Sequence, residues 1–170
     1  MIFPELKKLP DGVTDALRNG GIQIVAVKDS IVEVFPDLKG VTPRGWGGTG
    51  KTWDDVPGVF KSDRMTVAVA TSGKFPTGSN DMILHEIGHG YDFAMGTLSS
   101  SPSFISAYNA DKTHFTGYYT QPGNAGHEEL FAESFANYYN RNTKYFENKP
   151  NVLAYWKSLP EPMQPPKAKK

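Results

Sequence analysis

Apolar residues recur at three- and four-residue steps through residues 81–96, at Ile83, Leu84, Ile87, Tyr91 and Ala94. That spacing lines one face of a helix and turns it toward a core. Ser79, Asn80 and Asp81 offer capping oxygens ahead of the stretch and Gly96 stands just past it, so both ends of the predicted helix are marked. Residues 127–140 predict a second helix, with Leu130, Phe131, Phe135 and Tyr138 as its stripe. Shorter helices are expected at residues 10–19, closed by Gly20-Gly21, at 101–110 behind Ser101-Pro102, and at 150–158. Residues 21–35, GIQIVAVKDSIVEVF, alternate apolar and polar positions around Lys28-Asp29-Ser30 and read as strand, turn and strand. MTVAVAT, residues 65–71, reads as a further strand. A long Gly-rich loop fills residues 36–58. The organisation is one domain over residues 1–158, followed by a Pro- and Lys-rich tail at 159–170 that is expected to be flexible.

The first helix carries chemistry as well as a stripe. His85-Glu86-Ile87-Gly88-His89 is HExxH. On a helix, residues i and i+4 share a face with Cβ atoms roughly 6 Å apart. Both imidazoles can then reach one Zn²⁺ at about 2.0–2.1 Å, while Glu86 deprotonates the water on it without being a ligand. A pair of satisfied core histidines is the plainer alternative, but two His at i, i+4 with Glu between them outweigh it. Two histidines leave the site incomplete. The metzincin extension requires Gly at 92 and His at 95, where this chain has Asp92 and Met95. The remaining candidates are Glu129 and Glu133, four apart on the second predicted helix. One can bind the metal while the other accepts the free N–H of a ligand His.

Composition excludes more than it adds. Across 170 residues, 18 basic side chains balance 18 acidic ones, so no electrostatic argument favours nucleic acid or a membrane surface. No apolar run approaches membrane-spanning length. The absence of cysteine rules out a disulfide scaffold and a thiolate metal site. MIFPELKKLP has no apolar signal-peptide core, so no signal peptide is expected in this chain. The run from Gly45 to Thr52, GWGGTGKT, satisfies the phosphate-loop pattern GxxxxGK[ST]. That chemistry needs a buried strand before the loop and a helix after it. VTPR precedes it and WDDVPG follows, so nucleotide binding is disfavoured, and a loop that shapes a cleft with Trp46 and Trp53 is the better account.

HEIGHGYD, EELFAESFA and TPRGWGGTGKTWDDVPG together resemble the anthrax-lethal-factor-type metallopeptidases, in particular the secreted Pro-Pro endopeptidases of Gram-positive bacteria, over about residues 20–145. The resemblance implies an α+β zincin-like domain, a small sheet over the HExxH helix with a helical C-terminal half. It implies a zinc metalloendopeptidase of the gluzincin type, in which Glu129 is the third ligand and Glu133 the carboxylate behind a ligand His. It implies an oxyanion-donating tyrosine, Tyr118, with Tyr119 as the alternative because TQPGNAG lengthens the spacing. His114 and His127 are expected to be exposed loop residues outside the site. The resemblance implies that the strand at 65–71 is the sheet edge along which an extended substrate pairs, the expected partner being a Pro-rich peptide or protein met outside the cell. Competing readings are a non-catalytic zinc-binding domain and, more remotely, a nucleotide-binding protein.

Overall fold

A computed structural model of the chain describes residues 2–44, 46–72, 79 and 81–165. Helix α1 is Phe3–Leu6 and α2 is Asp11–Asn19. Strand β1 is Gln23–Val27, β2 is Gly58–Lys61 and β3 is Thr66–Ala70. The C-terminal half is helical: α3 is Met82–Ala94, α4 Pro102–Asp111, α5 Ala125–Tyr139 and α6 Pro150–Lys157. None of the described helices is long and apolar enough to cross a membrane.

The sheet order is β1-β3-β2, with β1 parallel and β2 antiparallel to β3. This corrects two expectations. Strand β3 is the centre of the sheet and not its edge, and Thr66, Val67, Ala68 and Val69 are all buried. The edges are β1 and β2, and the Gly-rich stretch concealed β2. Residues 31–35 do not form a strand either. Ser30 and Glu33 close a capping box in which the Glu33 carboxylate accepts the Ser30 N–H at 2.9 Å, starting a short 3₁₀ turn at Ile31–Glu33. Ile31 and Phe35, four apart, are then buried together beneath the sheet with Val27, Val59 and Ala68.

Two glycines of the HExxH helix set how closely it packs. A Cβ at Gly88 would stand 2.9 Å from Ala132 Cα, so its absence lets α3 lie against α5. A Cβ at Gly90 would stand 3.1 and 3.2 Å from Ile22 and Val67 side chains, on the sheet side. Asp81 caps α3 by accepting the Leu84 N–H at 3.1 Å, and its other oxygen accepts from Asn140 at 2.9 Å and Lys8 at 3.3 Å. The start of α3 is thereby tied to the end of α5. Behind them an aromatic core, Tyr91, Phe104, Phe131, Phe135 and Trp156, joins α4 and α6. Buried Asp111 at the end of α4 accepts the N–H groups of Asn151 and Val152, fixing the first turn of α6.

Residues 159–165 belong to this body, contrary to the expectation of a flexible tail from 159. Tyr139 donates to the Met163 carbonyl at 2.8 Å and Tyr138 to the Gln164 side chain at 2.5 Å, while Gln164 Nε2 donates to the Leu159 carbonyl at 2.7 Å. Buried tyrosine hydroxyls need partners, and this segment supplies them. Residues 166–170, including Pro166, lie outside the described residues, as do Asn80 and Gly45.

Candidate metal centre and active site

Helices α3 and α5 cross so that three side chains converge. Glu129 Oε2 lies 3.4 Å from His85 Nε2 and 3.6 Å from His89 Nε2. All three candidate ligand atoms fall within 4.8 Å of one another. Ligand atoms about 2.0–2.1 Å from a tetrahedral ion stand roughly 3.3–3.4 Å apart, so the two carboxylate distances fit one metal. Glu129 Oε2 is buried with no hydrogen-bond partner, an orphan that a cation would satisfy. The donor set of two imidazoles and a carboxylate suits Zn²⁺.

Glu133 stands one turn along α5. Its Oε2 lies 3.0 Å from His85 Nδ1, which fixes the imidazole tautomer and leaves Nε2 free to face Glu129. Burial lowers the pKa of His85, but the carboxylates of Glu129 and Glu133 outweigh it and raise it to about 10 when no metal competes. Glu129 is held well below the usual carboxylate range, because the two histidines overcome its burial.

Glu86 projects from α3 beside the edge strand. It is buried, which raises its pKa against the pull of His85 and His89 and, more weakly, of the nearby Phe60 N–H. Only glycine fits at position 58, since a Cβ there would stand 2.8 Å from Glu86 Cγ. Strand β2, unread in the sequence, thus places both a donor and a gap at Glu86.

A short 3₁₀ turn, Gly117–Thr120, carries the two tyrosines over the first turn of α5. The Tyr108 hydroxyl holds this turn by donating to the Tyr119 carbonyl at 2.6 Å, and a side chain at Gly126 would collide with that same carbonyl. The tyrosines diverge. Tyr118 is 46 % exposed at the cleft mouth, yet its hydroxyl reaches Glu129, and burial of that end followed by the Glu129 charge raises its pKa. Tyr119 turns instead toward Glu133 and Tyr145.

The cleft has a volume of about 840 Å³ and is lined by His85, Glu86, His89, Glu129, Tyr118, Trp46 and Trp53 among others. The loop bearing the tryptophans is pinned to α5 by an Arg44–Glu128 ion pair of 2.9 Å. No phosphate cradle forms there among the described residues. Thr52 donates its hydroxyl to Asp54 and its N–H to Asp55, so carboxylates stand where a helix N-terminus would be needed. His114 is exposed, as expected. His127 is on α5 and not in a loop, its ring edge-on to Tyr108 with 4.3 Å between centroids, and neither histidine lines the cleft.

The family described as "Anthrax toxin lethal factor, N- and C-terminal domain" matches residues 1–159. The chain belongs to this family. Its match runs well past the 20–145 stretch in which the sequence motifs lie. Among members of known character, the Pro-Pro endopeptidase of Paenibacillus alvei is 37 % identical over 111 residues, 62 % of this chain and 50 % of that relative. The chain's aligned part therefore spans half that relative's length. The Pro-Pro endopeptidase of Clostridioides difficile is 31 % identical over 157 residues, 85 % of this chain and 68 % of the relative. The solved structure of the P. alvei Pro-Pro endopeptidase superposes with a TM-score of 0.74 at 32 % identity, covering 88 % of this chain and 84 % of that one. The lethal factor family fold is accordingly the α+β zincin-like architecture described above, a three-stranded sheet and a predominantly helical remainder.

Proposed function

We propose that this protein is a zinc-dependent endopeptidase that hydrolyses Pro-Pro bonds. The observation that carries the reading is the buried Glu129 oxygen standing 3.4 and 3.6 Å from the two HExxH imidazoles at the base of an open cleft. His85, His89 and Glu129 hold the ion. When bound, zinc supplies Lewis acidity and lowers the pKa of a water to about 7. Glu86 accepts the proton of the attacking water and returns it to the leaving nitrogen, its raised pKa suiting it to both transfers. In a Pro-Pro bond that nitrogen is the proline ring nitrogen, which departs only once protonated. Tyr118 donates its hydroxyl to the oxyanion, and its own raised pKa keeps it a neutral donor.

The substrate assignment draws on the relatives' names and on a physical argument. The cleft borders edge strand β2, which can pair with an extended peptide. Proline has no N–H to give that ladder and fixes φ near about −65°. Its binding must rest on ring contacts, for which Trp46, Trp53 and Tyr118 provide aromatic walls. The test is a peptide library with Pro fixed or excluded at the two positions flanking the scissile bond, digested by wild type, wild type with chelator, and Glu86→Ala. The expected result is cleavage in the Pro-fixed pool alone, abolished by chelator and reduced by several orders of magnitude in Glu86→Ala, which still binds zinc. Equal cleavage of both pools would remove the proline claim and leave the zinc chemistry. Zinc binding with no cleavage of either pool would favour a non-catalytic zinc domain.

A further inference from the structure

The polar face of α5 does not stop at Glu133. Glu129, Glu133 and Asn137 follow at four-residue steps, and Asn137 is fully buried. Its Nδ2 donates to Glu133 Oε1 at 2.9 Å and to the Glu133 backbone carbonyl at 2.8 Å. Its Oδ1 accepts from Asn142 Nδ2 at 2.7 Å. The last contact fixes which way the amide points, since a flipped Asn137 would set its oxygen against the Glu133 carboxylate. The terminal torsion of a glutamate is soft and roughly two-fold. The Asn137 donor on Oε1 favours the rotation of the Glu133 carboxylate that presents Oε2 to His85 Nδ1.

We infer that Asn137, oriented by Asn142, is a positioning residue of the metal centre: it locks the Glu133 carboxylate and, through it, the tautomer and ring orientation of His85. The inference rests on the metal-centre reading above. Asn137 touches neither the ligand atoms nor the cleft. Its effect is passed through two hydrogen bonds, from Asn137 to Glu133 and from His85 to Glu133.

Zinc affinity, measured by competition with a chromophoric chelator, separates this role from simple core packing. Asn137→Leu keeps the branched outline of the side chain, though it is bulkier, and removes both donors. It should weaken zinc by up to about 10-fold, short of the roughly 10–100-fold cost of losing the direct partner of a ligand histidine. In the zinc-loaded wild type the proton on His85 Nδ1 should give a slowly exchanging NMR signal, and that signal should broaden in the variant. Asn142→Ala, at a half-buried and more tolerant position, should lose affinity in the same direction by a smaller factor. A folded Asn137→Leu with wild-type zinc affinity overturns the inference while leaving the metal centre intact. Should Asn137→Leu fail to fold, unchanged affinity in Asn142→Ala overturns it instead. A wild-type protein that takes up no zinc overturns the metal centre and this inference together.

Discussion

At the scale of single residues, the two tyrosines are the sharpest test. Tyr118→Phe removes one hydroxyl near Glu129 and should lower kcat by about 10²–10³-fold with zinc content unchanged. Tyr119→Phe should cost far less, because that hydroxyl faces Tyr145 and Glu133; the reverse ranking would move the oxyanion role to Tyr119. Spacing alone could not choose between neighbours that diverge within one 3₁₀ turn. The candidate histidines, by contrast, stood out as HExxH and the Glu129–Glu133 pair by its four-residue step, while the choice between the two glutamates came from the resemblance. His85 and Glu129 also set a pH dependence for the metal-stripped protein. His85 rises from an ordinary value near 6.5 to about 10, so its contribution is whole below about 6.5 and is lost as pH climbs toward 10. Glu129 is depressed, so its contribution is present above about 4.5 and is lost as pH falls below that. Thermal unfolding in chelator should therefore show Tm declining on both sides of that window, with the alkaline decline flattened in His85→Gln. An alkaline limb that survives His85→Gln would assign it to other groups.

At the scale of elements, glycines decide which helix meets which neighbour. Gly88→Ala gains roughly 1 kcal/mol of helix propensity, but overpacking against Ala132 costs about 1–3 kcal/mol. Crowding wins, and because α3 and α5 separate, zinc affinity should fall together with Tm. Gly126→Ala disturbs a different joint, the crossing of the tyrosine turn over α5. It should keep zinc and lose kcat by about 10²-fold, the cost of a misplacement near 1 Å. Equal zinc affinity in Gly88→Ala and wild type would mean the helices have room to adjust. The main helices were legible because their apolar stripes are long, and α3 also has a marked cap. Strand β2 was not, being four residues, GVFK, in a stretch dominated by glycine and proline. Ile31 and Phe35 fit both an alternating and a four-step pattern, and the Ser30–Glu33 box decided for the turn.

At the scale of the whole molecule, sheet order was beyond local reading, since β3 looks the same in sequence at an edge or in the centre. Burial of four successive residues, Thr66 to Val69, is what its place between β1 and β2 requires. The tail misled for a related reason: Pro-rich composition suggests disorder, but Met163 and Gln164 satisfy tyrosines of α5 that only the assembled fold presents. The joining of α3 to α5 has a further consequence, in the order of synthesis. A ribosome releases His85 and His89 well before Glu129, Glu133 and Asn137. Until α5 emerges, the HExxH helix carries two glycines and a carboxylate bound for burial, so it has little reason to hold its shape. The nascent chain is thus neither a metal binder nor a protease for most of its translation. Stalled chains ending before residue 125 should not retain zinc through a desalting step, whereas chains extended past residue 165 and clear of the ribosomal tunnel should.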